Sequence, residues 1–143
     1  LKNVTMVSQT TYLFDETIED NLRIAKPDAT QEEIEAACRM ASVHEFILSL
    51  PDGYKTRVGA LGDNLSAGEK QRIGLARAFL RGSEWILLDE PTSNVDSINE
   101  GIILKALQEQ KRKKSILLVS HRESTMAIAD RIYRVKGGRM AEI

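Results

Sequence analysis

The sequence predicts an α/β fold in which a partial parallel sheet carries an inserted α-helical subdomain. From residue 85 onward, apolar strand-like runs alternate with helical stretches: 85–88, then 97–111, then 115–119. That alternation is the pattern of a parallel α/β sheet. Between a first apolar run at 4–7 and residue 85 the chain reads as helices and turns throughout, which predicts the insertion. The run Trp85-Ile86-Leu87-Leu88 ends in two adjacent carboxylates, Asp89 and Glu90. A carboxylate pair at the end of a buried strand can handle a metal ion and a water.

Each element has a local reason. Val4-Thr5-Met6-Val7 is apolar and β-branched, a buried-strand composition ending at Ser8-Gln9. Residues 17–24 read as a short helix or turn, and Pro27-Asp28 breaks the pattern. Thr30 and Glu33 form a capping box, after which Ile34, Ala37, Cys38 and Ala41 fall on one helical face. Residues 43–50 read as a second short helix, stopped by Pro51-Asp52-Gly53. Turn formers crowd 55–64, which reads as a loop. A helix opens after Ser66, runs to about Arg81 with Ile73, Ala76 and Leu80 as its inner stripe, and stops at Gly82. Ser97 and Glu100 read as another capping box, opening a helix to about Lys111. After the 115–119 strand come Ser120-His121, a short helix over 126–129, and a hairpin turning at Gly137-Gly138.

The composition bounds the function. At 143 residues the chain can bury one sizeable core. A net charge of −1, with 29% charged and 42% hydrophobic residues, supplies no bulk attraction for nucleic acid or membrane surfaces and no signature of disorder. The basic run 111–114 reads as the solvated C-terminal end of a helix. Cys38 is the single cysteine, which excludes an intrachain disulfide and fits a reducing compartment. No apolar run approaches the ~20 residues of a membrane helix. The chain opens at Leu1 almost directly into a strand, which reads as a cut inside a longer protein. His44 reads as a surface or half-buried structural residue and Trp85 as core.

Five short motifs follow one another in a fixed order. Ser8-Gln9, with Tyr12-Leu13-Phe14 behind it, resembles the Q-loop of ABC-type ATPases. Leu65-Ser66-Ala67-Gly68-Glu69 resembles their L-S-G-G-Q signature, with Ala67 for the first Gly and Glu69 for Gln. Ile86-Leu87-Leu88-Asp89-Glu90-Pro91 is similar to Walker B, Ser93-Asn94-Val95-Asp96 to the D-loop, and Ser120-His121-Arg122 to the switch histidine. On these motifs, spread over 4–143, the chain is identified as a member of that family. No G-x-x-x-x-G-K-[ST] phosphate loop occurs anywhere in it.

The resemblance implies a partial P-loop NTPase (RecA-like) core. Residues 1–10 would be its first strand up to the Q-loop, 11–82 the helical subdomain with the signature, and 83–143 the rest of the core. It implies ATP as ligand with Mg2+. Glu90 would orient or deprotonate the attacking water, and His121 would reach the γ-phosphate edge. Asp89 and Gln9 would hold Mg2+ through oxygen; Asp89 could instead cap the next turn, and Gln9 could be an ordinary loop glutamine. Ser66, Ala67, Gly68 and Glu69 would face the phosphates of a nucleotide held by a second ABC ATPase subunit in a head-to-tail dimer, since a helix N-terminus favours anions. Ser93 and Asp96 would lie at that interface, although Asp96 could equally be a turn residue before the next helix.

The stretch 12–18 looks like exporter-type members, in which a membrane-spanning domain precedes the ATPase. That implies a membrane domain fused upstream of Leu1, a place on the cytoplasmic face of a membrane for an itself soluble fragment, and no nucleic-acid partner. Arg57 and Ala60 stand where the exporter loop T-E-V-G-E-R-G has its two glutamates. The rival expectations are a soluble ABC ATPase of translation or DNA repair, and a non-catalytic interaction fragment.

Overall fold

A computed structural model describes residues 3–143. Leu1 and Lys2, which open the expected segment 1–10, lie outside the described residues. Strand β1 (Val4–Val7) leads into the helical region. Helix α1 (Ile18–Arg23) starts where the Thr17 side chain accepts from the Asp20 amide. Helix α2 (Gln31–Met40) carries the expected capping box, Thr30 with Glu33, and buries Ile34, Ala37 and Cys38. Helix α3 (His44–Ser49) follows, then a 3-10 turn at Gly53–Lys55.

The expected loop at 55–64 is more regular than its turn formers suggest. It holds a single-turn helix, α4 (Val58–Leu61), and a second 3-10 turn, Gly62–Asn64. Two backbone bonds pin its start, from the Ile18 amide to the Thr56 carbonyl and from the Val58 amide to the Glu16 carbonyl. With its backbone paired at one end, the segment gains by closing a turn rather than staying solvated.

Helix α5 (Ala67–Arg81) opens on a capping box of Ser66 and Glu69 and ends at Gly82, left-handed at φ 75°. Strand β2 (Trp85–Asp89) runs one residue past the expected end. Helix α6 (Ser97–Gln110) is capped one residue earlier than expected: the Asp96 carboxylate accepts from the Asn99 amide, so Ser97 is not the cap. Glu100, freed from a capping role, bonds elsewhere. Strand β3 (Ser115–Val119) is followed by α7 (Glu123–Met126), three residues before the expected 126–129. Residues 126–129 instead close tight turns, Ile128 onto Thr125 and Ala129 onto Met126. Strands β4 (Tyr133–Lys136) and β5 (Arg139–Glu142) form the expected antiparallel hairpin, with Gly137 and Gly138 both at positive φ, as a two-residue turn requires.

The three long-range strands pair in the order β1-β2-β3, all parallel. Helix α5 packs on β1 and on α1, α2 and α6, and is buried around most of its circumference, well beyond the one expected stripe. Ile73, Ala76 and Leu80 join Ile86 and Leu88 of β2 and Ile103 and Leu107 of α6 in one core. Each of the Ile and Leu side chains contributes roughly 1.5–3 kcal/mol by burial.

Two expectations about burial fail. Trp85 is 51% exposed. The pleat turns Ile86 and Leu88 to the core and Trp85 to the other face, where Met6, Leu117 and Val119 are exposed too. His44 is buried, its Nδ1 2.7 Å from the Tyr54 hydroxyl. Cys38 lies in the same pocket of the core, where burial pushes its thiol up to about 12.

Candidate functional site

The C-terminal ends of β2 and β3 place three of the expected residues. Asp89 is the last residue of β2 and sits opposite Val119 in the ladder. Glu90 leaves the strand at φ 50°, a left-handed conformation that costs a non-glycine residue roughly 1–3 kcal/mol. The surroundings hold it there: its amide donates to the Val119 carbonyl at 2.8 Å. The strained turn aims the Glu90 side chain, only 12% exposed, to within 3.6 Å of the His121 Nε2, while His121 itself is 96% exposed. That separation is an ion-pair distance and too long for a strong hydrogen bond. A half-sheltered carboxylate thus stands beside a freely exposed imidazole at the ends of two neighbouring strands.

Sequence reasoning missed the residues that brace this end. Glu100 accepts from the Thr92 hydroxyl at 3.0 Å and pairs with the Arg122 Nε at 2.8 Å. The trio ties the segment after β2, the first turn of α6 and the segment after β3 together. The exposed-looking spacing of Ser97 and Glu100 pointed to a cap and hid it. Ser93 follows Thr92 in the chain, and its hydroxyl is buried without a partner among the described residues.

Asp96 caps α6, and the Asn99 amide holds its carboxyl below the usual carboxylate range. The Asn99 side-chain amide also donates to both Asp96 oxygens, at 3.2 and 3.1 Å. Asn99 in turn lies directly against Gly68, where a β-carbon would overlap its side chain. Gly68 is thus packed against α6 of its own chain.

At the start of α5, Ser66 and Ala67 are exposed and Gly68 is buried. The Ser66 hydroxyl accepts from the Glu69 amide at 3.2 Å, and Glu69 Oε1 accepts from the Ser66 amide at 2.8 Å. The helix start therefore satisfies two free amides with its own side chains, that of Glu69 with the Ser66 hydroxyl and that of Ser66 with the Glu69 carboxylate, leaving the Ala67 and Gly68 amides to any anion. Among the described residues, no hydrogen bond or ion pair joins Ser66–Glu69 to Glu90 or His121.

Gln9 is exposed in the turn after β1. The residues around it are not free: Gln71 of α5 donates from Nε2 to the Ser8 carbonyl at 3.2 Å and accepts from the Thr11 hydroxyl at 2.9 Å. The donors offered here, the Asp89 carboxylate and the Gln9 amide oxygen, are hard oxygens suited to Mg2+. Among the described residues no cluster of three or more His, Cys, Asp or Glu could hold a metal. Such a set fits an ion bound chiefly through phosphate oxygens and water, with one or two protein oxygens.

The family model described as ABC transporter matches residues 1–93. A probable ABC transporter ATP-binding/permease protein of Haemophilus influenzae is 59% identical over 139 residues, 97% of this chain and 25% of that protein. A candidate multidrug export ATP-binding/permease protein of Bacillus subtilis, YgaD, is 47% identical over 98% of the chain and 24% of its own length. Multidrug resistance protein pgp-1 of Caenorhabditis elegans is 45% identical over 99% of the chain and 11% of its own length. The chain thus spans a quarter or less of the curated relatives it matches.

Proposed function

The chain belongs to the ABC transporter family, and from that premise we propose that it is part of the ATP-hydrolysing domain that powers a membrane exporter. The observation that carries the reading is Glu90, held in a strained turn at the end of a parallel strand and aimed 3.6 Å from His121. Ligands of open α/β sheets bind beyond the carboxyl ends of the strands, where both residues stand. The names of the relatives, which join ATP-binding and permease in one protein, support a transporter over a soluble ATPase of translation or repair.

In this reading Glu90 takes the proton of the attacking water, and its shelter from solvent sharpens its orientation. His121, exposed at the next strand end, meets the γ-phosphate. Asp89 and Gln9 offer oxygens to Mg2+, which when bound neutralises charge on the phosphates. Ser66 and the amides of Ala67 and Gly68, together with Glu69, face the nucleotide of a second subunit, and Ser93 and Asp96 approach that subunit. In the same reading 1–10 and 83–143 are parts of the catalytic core and 11–82 is the helical subdomain between them. None of the helices among the described residues is long and apolar enough to cross a membrane. The membrane-spanning part of the machine lies in a fused domain, with this portion at the cytoplasmic face.

The test is Glu90→Gln in the full-length transporter. The amide keeps the shape and cannot accept the proton. Turnover should fall at least ~100-fold, the scale of a general base, while ATP remains bound, as read by phosphate release and by nucleotide retention. Near-normal turnover means that another group takes the proton.

A further inference from the structure

Helix α5 touches the turn after β1 through residues spaced three apart. Gln71 bonds Ser8 and Thr11, as described, and is nearly fully buried. Gly74 lies so close to Thr11 that a β-carbon there would overlap the Thr11 side chain. Arg77 donates to the Tyr12 carbonyl at 2.8 Å, to the Asn21 carbonyl at 3.0 Å and to the Asn21 side-chain oxygen at 2.9 Å. Asn21 in turn bonds both polar backbone groups of Phe14. One stripe of the helix, 71-74-77, therefore runs alongside the chain from 8 to 12.

A buried glutamine is costly unless its amide is satisfied at both ends. Gln71 meets that condition by bracketing a single exposed residue pair, Gln9-Thr10, from either side. Hydrogen bonds to the residues flanking a ligand fix its orientation and tune its affinity, as outer-sphere partners of metal ligands do. We propose that Gln71 is a positioning residue for Gln9, and that through it the helix bearing the 66–69 turn sets the affinity of the Mg2+ site. The inference rests on the reading of Gln9 as an Mg2+ ligand. Gly74 is glycine because Thr11 must come close enough to close the bracket.

The experiment uses the full-length transporter in the hydrolysis-dead Glu90→Gln background, loaded with ATP. Mn2+ stands in for Mg2+, and its binding is followed by electron paramagnetic resonance. Gln71→Met keeps length and volume and removes both bonds. Thr11→Val removes one bond at nearly constant shape, and serves should Gln71→Met fail to fold. Thr11→Ser keeps the hydroxyl.

Gln71→Met and Thr11→Val should each weaken Mn2+ binding about three- to tenfold, the effect of losing one or two hydrogen bonds. Thr11→Ser should bind as the parent does, and metal-free ATP affinity should stay within about twofold in all three. In the Gln9→Ala background, Gln71→Met should add nothing, because its effect passes through Gln9. Unchanged Mn2+ affinity in Gln71→Met and Thr11→Val, or an equal loss with and without Gln9, overturns the proposal while leaving Gln9 as a ligand. Unchanged affinity in Gln9→Ala alone overturns the reading of Gln9 and the inference with it.

Discussion

At Gly68 the absence of a side chain serves the chain's own packing before it serves any ligand. Because the missing β-carbon would overlap Asn99, Gly68→Ala must displace the side chain that holds both Asp96 oxygens. We expect a loss of ~1–3 kcal/mol, the usual cost of overpacking, read as a lower denaturant midpoint. Asn99→Ala should recover part of that loss in the double variant. A Gly68→Ala protein as stable as the parent means that α6 yields without cost. Glu69 is a second residue whose role the geometry sharpens. Its carboxylate bonds the Ser66 amide, so a negative charge already stands at the helix terminus expected to meet phosphate.

At the scale of elements, the helix starts follow local chemistry wherever one residue caps alone. Thr17, Thr30 and Ser66 each bond the amide three residues on. The start of α6 does not follow its expected cap, since Asp96 and Ser97 both qualify and Glu100 is drawn away by Thr92 and Arg122. The β4–β5 hairpin is the opposite case. Its turn glycines make it legible from sequence, yet every residue of both strands is exposed. A lone hairpin is marginal in water. Amides of 133–142 should exchange with solvent orders of magnitude faster than those of α5, in a hydrogen-exchange experiment. Comparable protection in the two segments would show that the hairpin is covered in solution.

For the whole molecule, the described residues cover the sheet on one face only. Helices bury Ile86 and Leu88, while Met6, Trp85, Leu117 and Val119 stay exposed on the other side. An apolar face of this kind promotes association. The isolated chain should bind a hydrophobic dye and associate with rising concentration. Leu117→Lys should reduce both while changing stability by less than ~0.5 kcal/mol, as surface substitutions do. A monomeric, dye-silent parent would contradict this. The isolated chain should also hydrolyse no ATP and bind MgATP weakly, because no residue run in it can form the phosphate loop that supplies most phosphate contacts. Calorimetry and phosphate release check this, and micromolar affinity with turnover would refute it.

The sequence by itself determined the class of fold, the parallel alternation after residue 85, most helix limits, and the carboxylate pair Asp89-Glu90 at a strand end. These follow from periodicity, caps and turn residues, which act over a few positions and leave their mark in the order of residues. Only the tertiary structure decided which face of the sheet is covered, and so that Trp85 is exposed and His44 buried. It alone decided that Gly68 faces Asn99, that Glu100 joins Thr92 to Arg122, and that Gln71 brackets Gln9. Those partners are separated by up to 63 positions; the contacts of Gly68 and Gln71 form because α5 packs on α6 and β1. A short polar side chain carries no local signal of the distant group that will satisfy it, since burial creates the demand and the fold supplies the partner.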